Sequence, residues 1–158
     1  MIDRLLTLNG LVPMGAGDAA FVFLDPASPL TVVKVGLDLN DGWPAWAAWC
    51  RDHPSPHVPR IEAFTWLSDR AGQRRLYASV VERLWPFPEA REWLVPDRLL
   101  KRDPLSLSSL IRPRHPGVAA MLLEAASAFP GARWDMAPSN WLRRVDGTVV
   151  LMDPLAHL

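Results

Sequence analysis

Three polar residues in the last quarter of the chain have the types and spacing to hold a cation and move a proton: Asp135, Asn140 and Asp153. Asp146-Gly147 lies between the last two, flanked by Trp141-Leu142 on one side and Val149-Val150-Leu151 on the other. An Asp-Gly pair between apolar runs predicts a two-residue type I′ hairpin turn. With that turn Val145 faces Thr148 and, counting outward, Asn140 faces Asp153. Directly opposed residues carry their Cβ atoms about 4.5–5.5 Å apart, so an amide oxygen and a carboxylate would converge. Two such oxygens suit Mg²⁺, which takes one or two protein ligands and leaves the rest to water and phosphate. Pro138, between Asp135 and Asn140, disfavours a continuing helix and puts Asp135 on a loop entering the same place. The same residues also fit a plainer arrangement, an Asn–Asp hydrogen bond closing an ordinary hairpin with Asp135 on the surface.

The elements that must position these groups read as a sheet followed by helices. Phe21-Val22-Phe23-Leu24 and Leu30-Thr31-Val32-Val33-Lys34-Val35 are β-branched or aromatic runs separated by the turn-forming Asp25–Pro29. Ahead of them Gly15-Ala16-Gly17 is a turn that can bring backbone N–H groups onto phosphate oxygens, or simply a hairpin turn. Lys34 sits inside an apolar strand, in a chain with two lysines against fifteen arginines. A compact ammonium on a flexible stem suits a phosphate. An edge-strand lysine reaching solvent is the alternative.

Asn40-Asp41-Gly42-Trp43-Pro44 predicts a helix start with a capping side chain, the helix running to about Asp52. Trp43, Trp46 and Trp49 form a stripe at near-helical spacing that reads as core. His53 and His57 are separated by prolines and make a poor metal pair; that stretch reads as the link into a strand over 58–64. A second hairpin follows, with its polar turn at 68–73 and its return strand over 75–81. Residues 86–102 read as helical, 103–116 as an exposed Pro/Ser-rich connector carrying Arg112, Arg114 and His115, and 117–129 as a buried helix ended by Pro130-Gly131.

The order of these features resembles the protein-kinase-like fold. Asp135-x-x-x-x-Asn140, a strand pair and then Asp153 stand where that family carries its catalytic Asp, its metal-binding Asn and its second metal-binding Asp. By this resemblance Asp135 accepts the proton of the attacking hydroxyl, and Asn140 and Asp153 hold Mg²⁺ on the phosphates of ATP. Lys34, at Val-Val-Lys-Val, matches the strand lysine that contacts those phosphates, and Gly15 and Gly17 match the glycine turn. Glu82-Arg83-Leu84 falls at the hinge, so Glu82 and Leu84 are placed at the nucleotide's base. The departures are Trp134 before the catalytic Asp, Asp153-Pro154-Leu155 in place of Asp-Phe-Gly, and Ala20 in place of a third glycine. The family's helix supplies a Glu to the strand lysine; no Glu occurs before Glu62, and Asp38, Asp41 or Glu62 would have to substitute. The chain is also similar to short kinase-like proteins of tailed bacteriophages, including its Trp-Pro-Ala-x-x-x-Trp-Cys and Asp-Pro-Leu stretches.

The expected fold is therefore α+β: an antiparallel sheet with one helix over 1–82, then a reduced helical lobe with the catalytic-loop hairpin over 83–158. At 158 residues the length is that of one domain. Five residues follow Asp153, so the activation segment and peptide-binding helices of a protein kinase are expected to be absent. Net charge is zero, which leaves no electrostatic footprint for nucleic acid or an acidic membrane. No run reaches the roughly 18 apolar residues of a membrane helix, and the N-terminal apolar stretch is too short for a signal peptide. Cys50 is alone, so no disulfide framework exists and a reducing, cytoplasmic setting is expected, a host cytoplasm for a phage protein. Two functions of different class follow from the resemblance. One is a minimal Mg-ATP phosphotransferase. The other is a non-catalytic, pseudokinase-type binding module that docks on another protein such as a host factor. A homo-oligomer would complete a site that one short chain leaves open.

Overall fold

The apolar, β-branched runs of the first half pair into one twisted antiparallel sheet. In this computed structural model, which describes residues 11–16, 20–37, 42–68, 75–94 and 103–157, the strands are β1 (Pro13–Ala16), β2 (Ala20–Leu24), β3 (Thr31–Leu37), β4 (Ile61–Ser68) and β5 (Arg75–Glu82). Their order across the sheet is β1-β2-β3-β5-β4. β3 is thus the middle strand, with Lys34 opposite Val22 on one side and Ser79 on the other. That excludes the edge-strand reading of Lys34. The turn before β3 is held by Asp25, whose carboxylate accepts from the Ala27 N–H at 2.8 Å and the Thr31 hydroxyl at 2.6 Å.

α1 (Trp43–Asp52) ends where the sequence predicts. Its N-cap is Gly42, with no side-chain cap; Asn40 and Asp41 lie outside the described residues. A Cβ at Gly42 would stand 2.3 Å from the Leu155 Cβ and 2.4 Å from its carbonyl oxygen. Only glycine lets the start of this helix rest on the end of the chain. Trp43, Trp46 and Trp49 are buried, as their spacing predicts, and Trp46 stacks on Trp49 at 4.9 Å between ring centroids. One apolar cluster joins these rings to Tyr77 and Val81 of the sheet, to Leu107, Val118 and Leu122, and to Met136, Trp141 and Leu151. His53 stacks on Trp49 at 4.9 Å, whereas His57 bonds through Nδ1 to the Val149 carbonyl at 2.9 Å. The two imidazoles serve different contacts.

The second half departs from expectation in two places. Residues 86–102 are not one helix: β6 (Trp85–Pro86) is followed by the short α2 (Ala90–Leu94), and 95–102 lie outside the described residues. The stretch expected as an exposed connector contains α3 (Pro104–Ile111). Asp103 is its N-cap, accepting from the Leu105 N–H at 3.0 Å, and Pro104 takes a first-turn position where no N–H is needed. Leu107 and Ile111, four apart, turn inward with Ser108, whose hydroxyl donates to the Ala119 carbonyl at 2.9 Å. The prolines at 113 and 116 mark the helix ends rather than a loop throughout. Asp103→Ala is expected to cost about 1 kcal/mol in urea denaturation at neutral pH. The Ser106 hydroxyl, then the Leu105 N–H, hold this carboxyl below its ordinary value. The cap's contribution is therefore present above the unfolded carboxyl's pKa and is lost as pH falls through the lowered folded value.

α4 (Pro116–Ala128) is the expected buried helix, packed on α3. It delivers the chain to β7 (Arg133–Trp134), a 3₁₀ turn (Pro138–Asn140) and the hairpin β8 (Trp141–Arg143) and β9 (Val149–Leu151). β8 also pairs with β6, and β10 (Leu155–His157) returns beside β7. No helix among the described residues is long and apolar enough to cross a membrane.

Candidate functional site

Lys34 carries the site's charge from the centre of the sheet. Its side chain is 5% exposed, and its ammonium forms an ion pair with Oδ2 of Asp153, which is 28% exposed. The ammonium also lies over the indole of Trp43, 3.9 Å from the ring centroid. Trp43 is fixed in turn: it is fully buried and its Nε1 donates to the Ser79 hydroxyl at 3.0 Å, Ser79 being the cross-strand neighbour of Lys34. Among the acids expected as partners, Glu62 is exposed on β4, and Asp38 and Asp41 lie outside the described residues. Trp43 was legible as core and not as a lysine partner, because helical spacing alone does not separate the two. Burial, with the Asp153 carboxylate adding to it, pushes the Cys50 thiol far up, so no thiolate forms beside the pair.

Asp135 enters from β7. Its N–H donates to the Pro154 carbonyl at 2.6 Å, which sets it beside Asp153 along the β7–β10 pairing. Its exposed carboxylate accepts from the Ala137 N–H at 3.1 Å, and its carbonyl accepts from the Asn140 amide Nδ2 at 2.9 Å. The loop is anchored beneath by fully buried Met136, whose carbonyl accepts from the Trp141 indole at 3.3 Å.

The hairpin itself differs from the predicted type I′ turn. The Gly147 N–H donates to the Arg144 carbonyl at 3.0 Å and the Arg144 N–H to the Thr148 carbonyl at 2.9 Å, enclosing a three-residue loop. Gly147 has φ +86°, the left-handed residue that such loops use for a G1 bulge. Within this longer loop the Asp146 carboxylate accepts from the Thr148 N–H at 2.9 Å. Trp141 therefore pairs with Leu151, and Asn140 stands opposite Met152, whose N–H donates to the Asn140 carbonyl at 2.8 Å. The expected direct opposition of Asn140 and Asp153 is shifted by one residue. The loop backbone links them indirectly: the Asn140 amide donates to the Asp135 carbonyl, and the Asp135 N–H donates to the carbonyl of Pro154, next to Asp153.

An amide oxygen and a carboxylate are the donor types a hard cation takes. The amide nitrogen of Asn140 is spent on the Asp135 carbonyl, which leaves its oxygen as the ligating end, while the Asp153 carboxylate gives Oδ2 to Lys34 and keeps Oδ1 buried. Gly15 lies in β1, and among the described residues no atom beyond its chain neighbours stands within 4 Å of a Cβ placed on it. Gly17 lies outside the described residues. Glu82 is committed elsewhere: its carboxylate takes Nε of Arg144 at 2.8 Å and Nη2 at 2.6 Å, and accepts from the Arg60 N–H at 2.9 Å. The N–H groups of Glu82 and Arg83 donate to the carbonyls of Arg60 and Leu30. Leu84, half-buried after β5, is the remaining residue of the expected hinge. Among the described residues, a cleft of about 540 Å³ lined by Arg51, Ser55, Arg60, Arg144 and Asp146 lies behind α1; Lys34, Asp135, Asn140 and Asp153 line none of it.

No protein-family model matches the chain, and no curated protein matches it in sequence. Among solved structures it is similar to a MAP kinase from Leishmania major, with a TM-score of 0.50 and 12% identity over 95% of this chain and 48% of the kinase. The chain thus spans about half the length of that kinase. At this identity the likeness is one of architecture, and the conclusion it supports is that the chain has a kinase-like fold.

Proposed function

We propose that the chain is a nucleotide-dependent phosphotransferase of minimal kinase-like type, using ATP with Mg²⁺. The observation that carries this reading is the convergence of Lys34, from the middle of the sheet, on Asp153, from the end of the hairpin, beside the loop that holds Asp135 and Asn140. Asn140 and Asp153 would hold the metal ion, which supplies charge neutralisation on the phosphates. Lys34, released from Asp153, would take a phosphate oxygen, and the backbone at Gly15–Gly17 and Leu84 would border the phosphates and the base. Asp135, exposed and braced through its own backbone, would orient an acceptor hydroxyl and receive its proton.

Calorimetric titration with Mg-ATP and Mg-ADP tests this. Wild type is expected to bind in a Mg²⁺-dependent manner, Asp153→Ala to lose that binding, and Asp135→Asn to bind normally while losing turnover. Equal binding by wild type and Asp153→Ala in the presence of Mg²⁺ would remove the metal assignment.

A second reading, a non-catalytic kinase-like module that binds a protein (a host protein if the chain is phage-encoded), draws support from two features. On the side of α1, Lys34 meets an aromatic ring, Trp43, and no acid of that helix's first turn. Edge strand β4 carries exposed apolar side chains, Trp66 at 46% on one face and Leu67 at 42% on the other, along an edge that a partner or a second copy would cover. No nucleotide binding at millimolar concentration would move the assignment to this reading.

A further inference from the structure

We propose that Trp43 is a positioning residue for the phosphate site, holding the Lys34 ammonium through its ring face in the role an acidic side chain would otherwise fill. This rests on the nucleotide reading above and adds to it the device that keeps Lys34 in place. α1 offers no acid near Lys34: its sequence from Trp43 to Arg51 contains no carboxylate, and its first turn is free of acidic residues. Trp43 itself is the residue that meets the ammonium, at 3.9 Å from the centroid. Its orientation is set by full burial and by the Nε1–H to Ser79 bond, so the ring face is presented by packing and not by chance of rotamer.

The chemistry differs from that of an ion pair in a way that suits an anion. A carboxylate on the helix would accept the ammonium's hydrogen bonds and cancel its charge, competing with a phosphate for both. A ring face attracts the cation through its quadrupole and accepts none of those N–H groups in the strong sense. Lys34 thus keeps its full charge and its donors, with Asp153 as the anionic partner it exchanges for phosphate. Were Asp153 to ligate a metal ion, the ring would still hold the ammonium in place.

The chain has only two lysines, Lys34 and Lys101, so lysine-labelled protein has two sets of ε-methylene signals, assigned with Lys101→Arg. A ring 3.9 Å from Nζ should displace the Lys34 signals upfield of those of a lysine in a short peptide. Trp43→Leu is expected to abolish the displacement and weaken Mg-ADP binding about tenfold, whereas Trp43→Phe, which keeps a ring face, retains both to within about threefold. The wild-type signals decide the geometry even if Trp43→Leu does not fold. Mg-ADP binding with undisplaced Lys34 signals, or with unchanged affinity in Trp43→Leu, overturns the role of Trp43 alone. Displaced signals with no Mg-ADP binding by the wild type overturn the nucleotide reading, and the positioning role with it.

Discussion

Asp153→Ala is expected to destabilise the fold by about 3 kcal/mol, the low end of the range for breaking a buried ion pair by removing one partner. The partner left behind is the costly one. Lys34 is 5% exposed and sits in the central strand, so its ammonium would keep the Trp43 ring and lose its counter-charge in a place water reaches poorly. The low end applies because Asp153 is 28% exposed, and trimming it admits some solvent. Lys34→Met should cost less, about 1 kcal/mol, since methionine fills the lysine's volume and the side chain left behind, Asp153, is 28% exposed against 5% for Lys34. The double variant Lys34→Met/Asp153→Ala should recover part of the loss of Asp153→Ala. Urea denaturation of the four proteins measures this, and a larger cost for Lys34→Met than for Asp153→Ala would contradict the burial on which the argument rests.

Arg144→Met is expected to be at least as damaging, about 3–5 kcal/mol. Arg144 makes a bidentate pair with Glu82, both side chains 12% exposed, and also donates to the carbonyls of Pro56 and Val58. One guanidinium thus ties the hairpin to the end of β5 and to the α1–β4 connection. Removing it strands a half-buried carboxylate and deprives two carbonyls of a donor. A double-mutant cycle with Glu82→Gln should show coupling of about 2 kcal/mol, and additivity within about 0.5 kcal/mol would show that the pair does not act as one unit. The same clamp joins the hairpin bearing Asn140 and Asp153 to the sheet bearing Lys34. Mg-ADP affinity should therefore fall in Arg144→Met, although Arg144 lines no part of the candidate site.

Glu82 shows how far local reading reaches. Its position at the end of a strand was legible, and resemblance placed it at a nucleotide's edge, but its side chain is claimed by an arginine 62 positions later. Nothing marks Arg144 among fifteen arginines, because a long-range ion pair leaves no periodicity. The helix over 104–111 was legible in principle, from Asp103 as cap, Pro104 in the first turn and Leu107 with Ile111 one turn apart. Proline and serine content outweighed those signals.

The elements with a local cause can be read from the residues alone. These include β3 from its β-branched run, α1 from its proline start and tryptophan stripe, α4 from its apolar-rich stretch, and a turn at Asp146-Gly147. Their order was enough to suggest the kinase-like architecture. Contacts between residues distant in the chain set the remaining choices. Lys34 is central because β5 pairs on its far side, and its partners are Asp153 and Trp43 because the helix and the chain end close over that face. The hairpin register also lay beyond pattern. An Asp-Gly pair serves two-residue and three-residue loops alike, and a single hydrogen bond from the Thr148 N–H to Asp146 goes with the longer one. That one residue moves Asn140 from facing Asp153 to facing Met152, because a residue added to the loop offsets every pair outward of it by one.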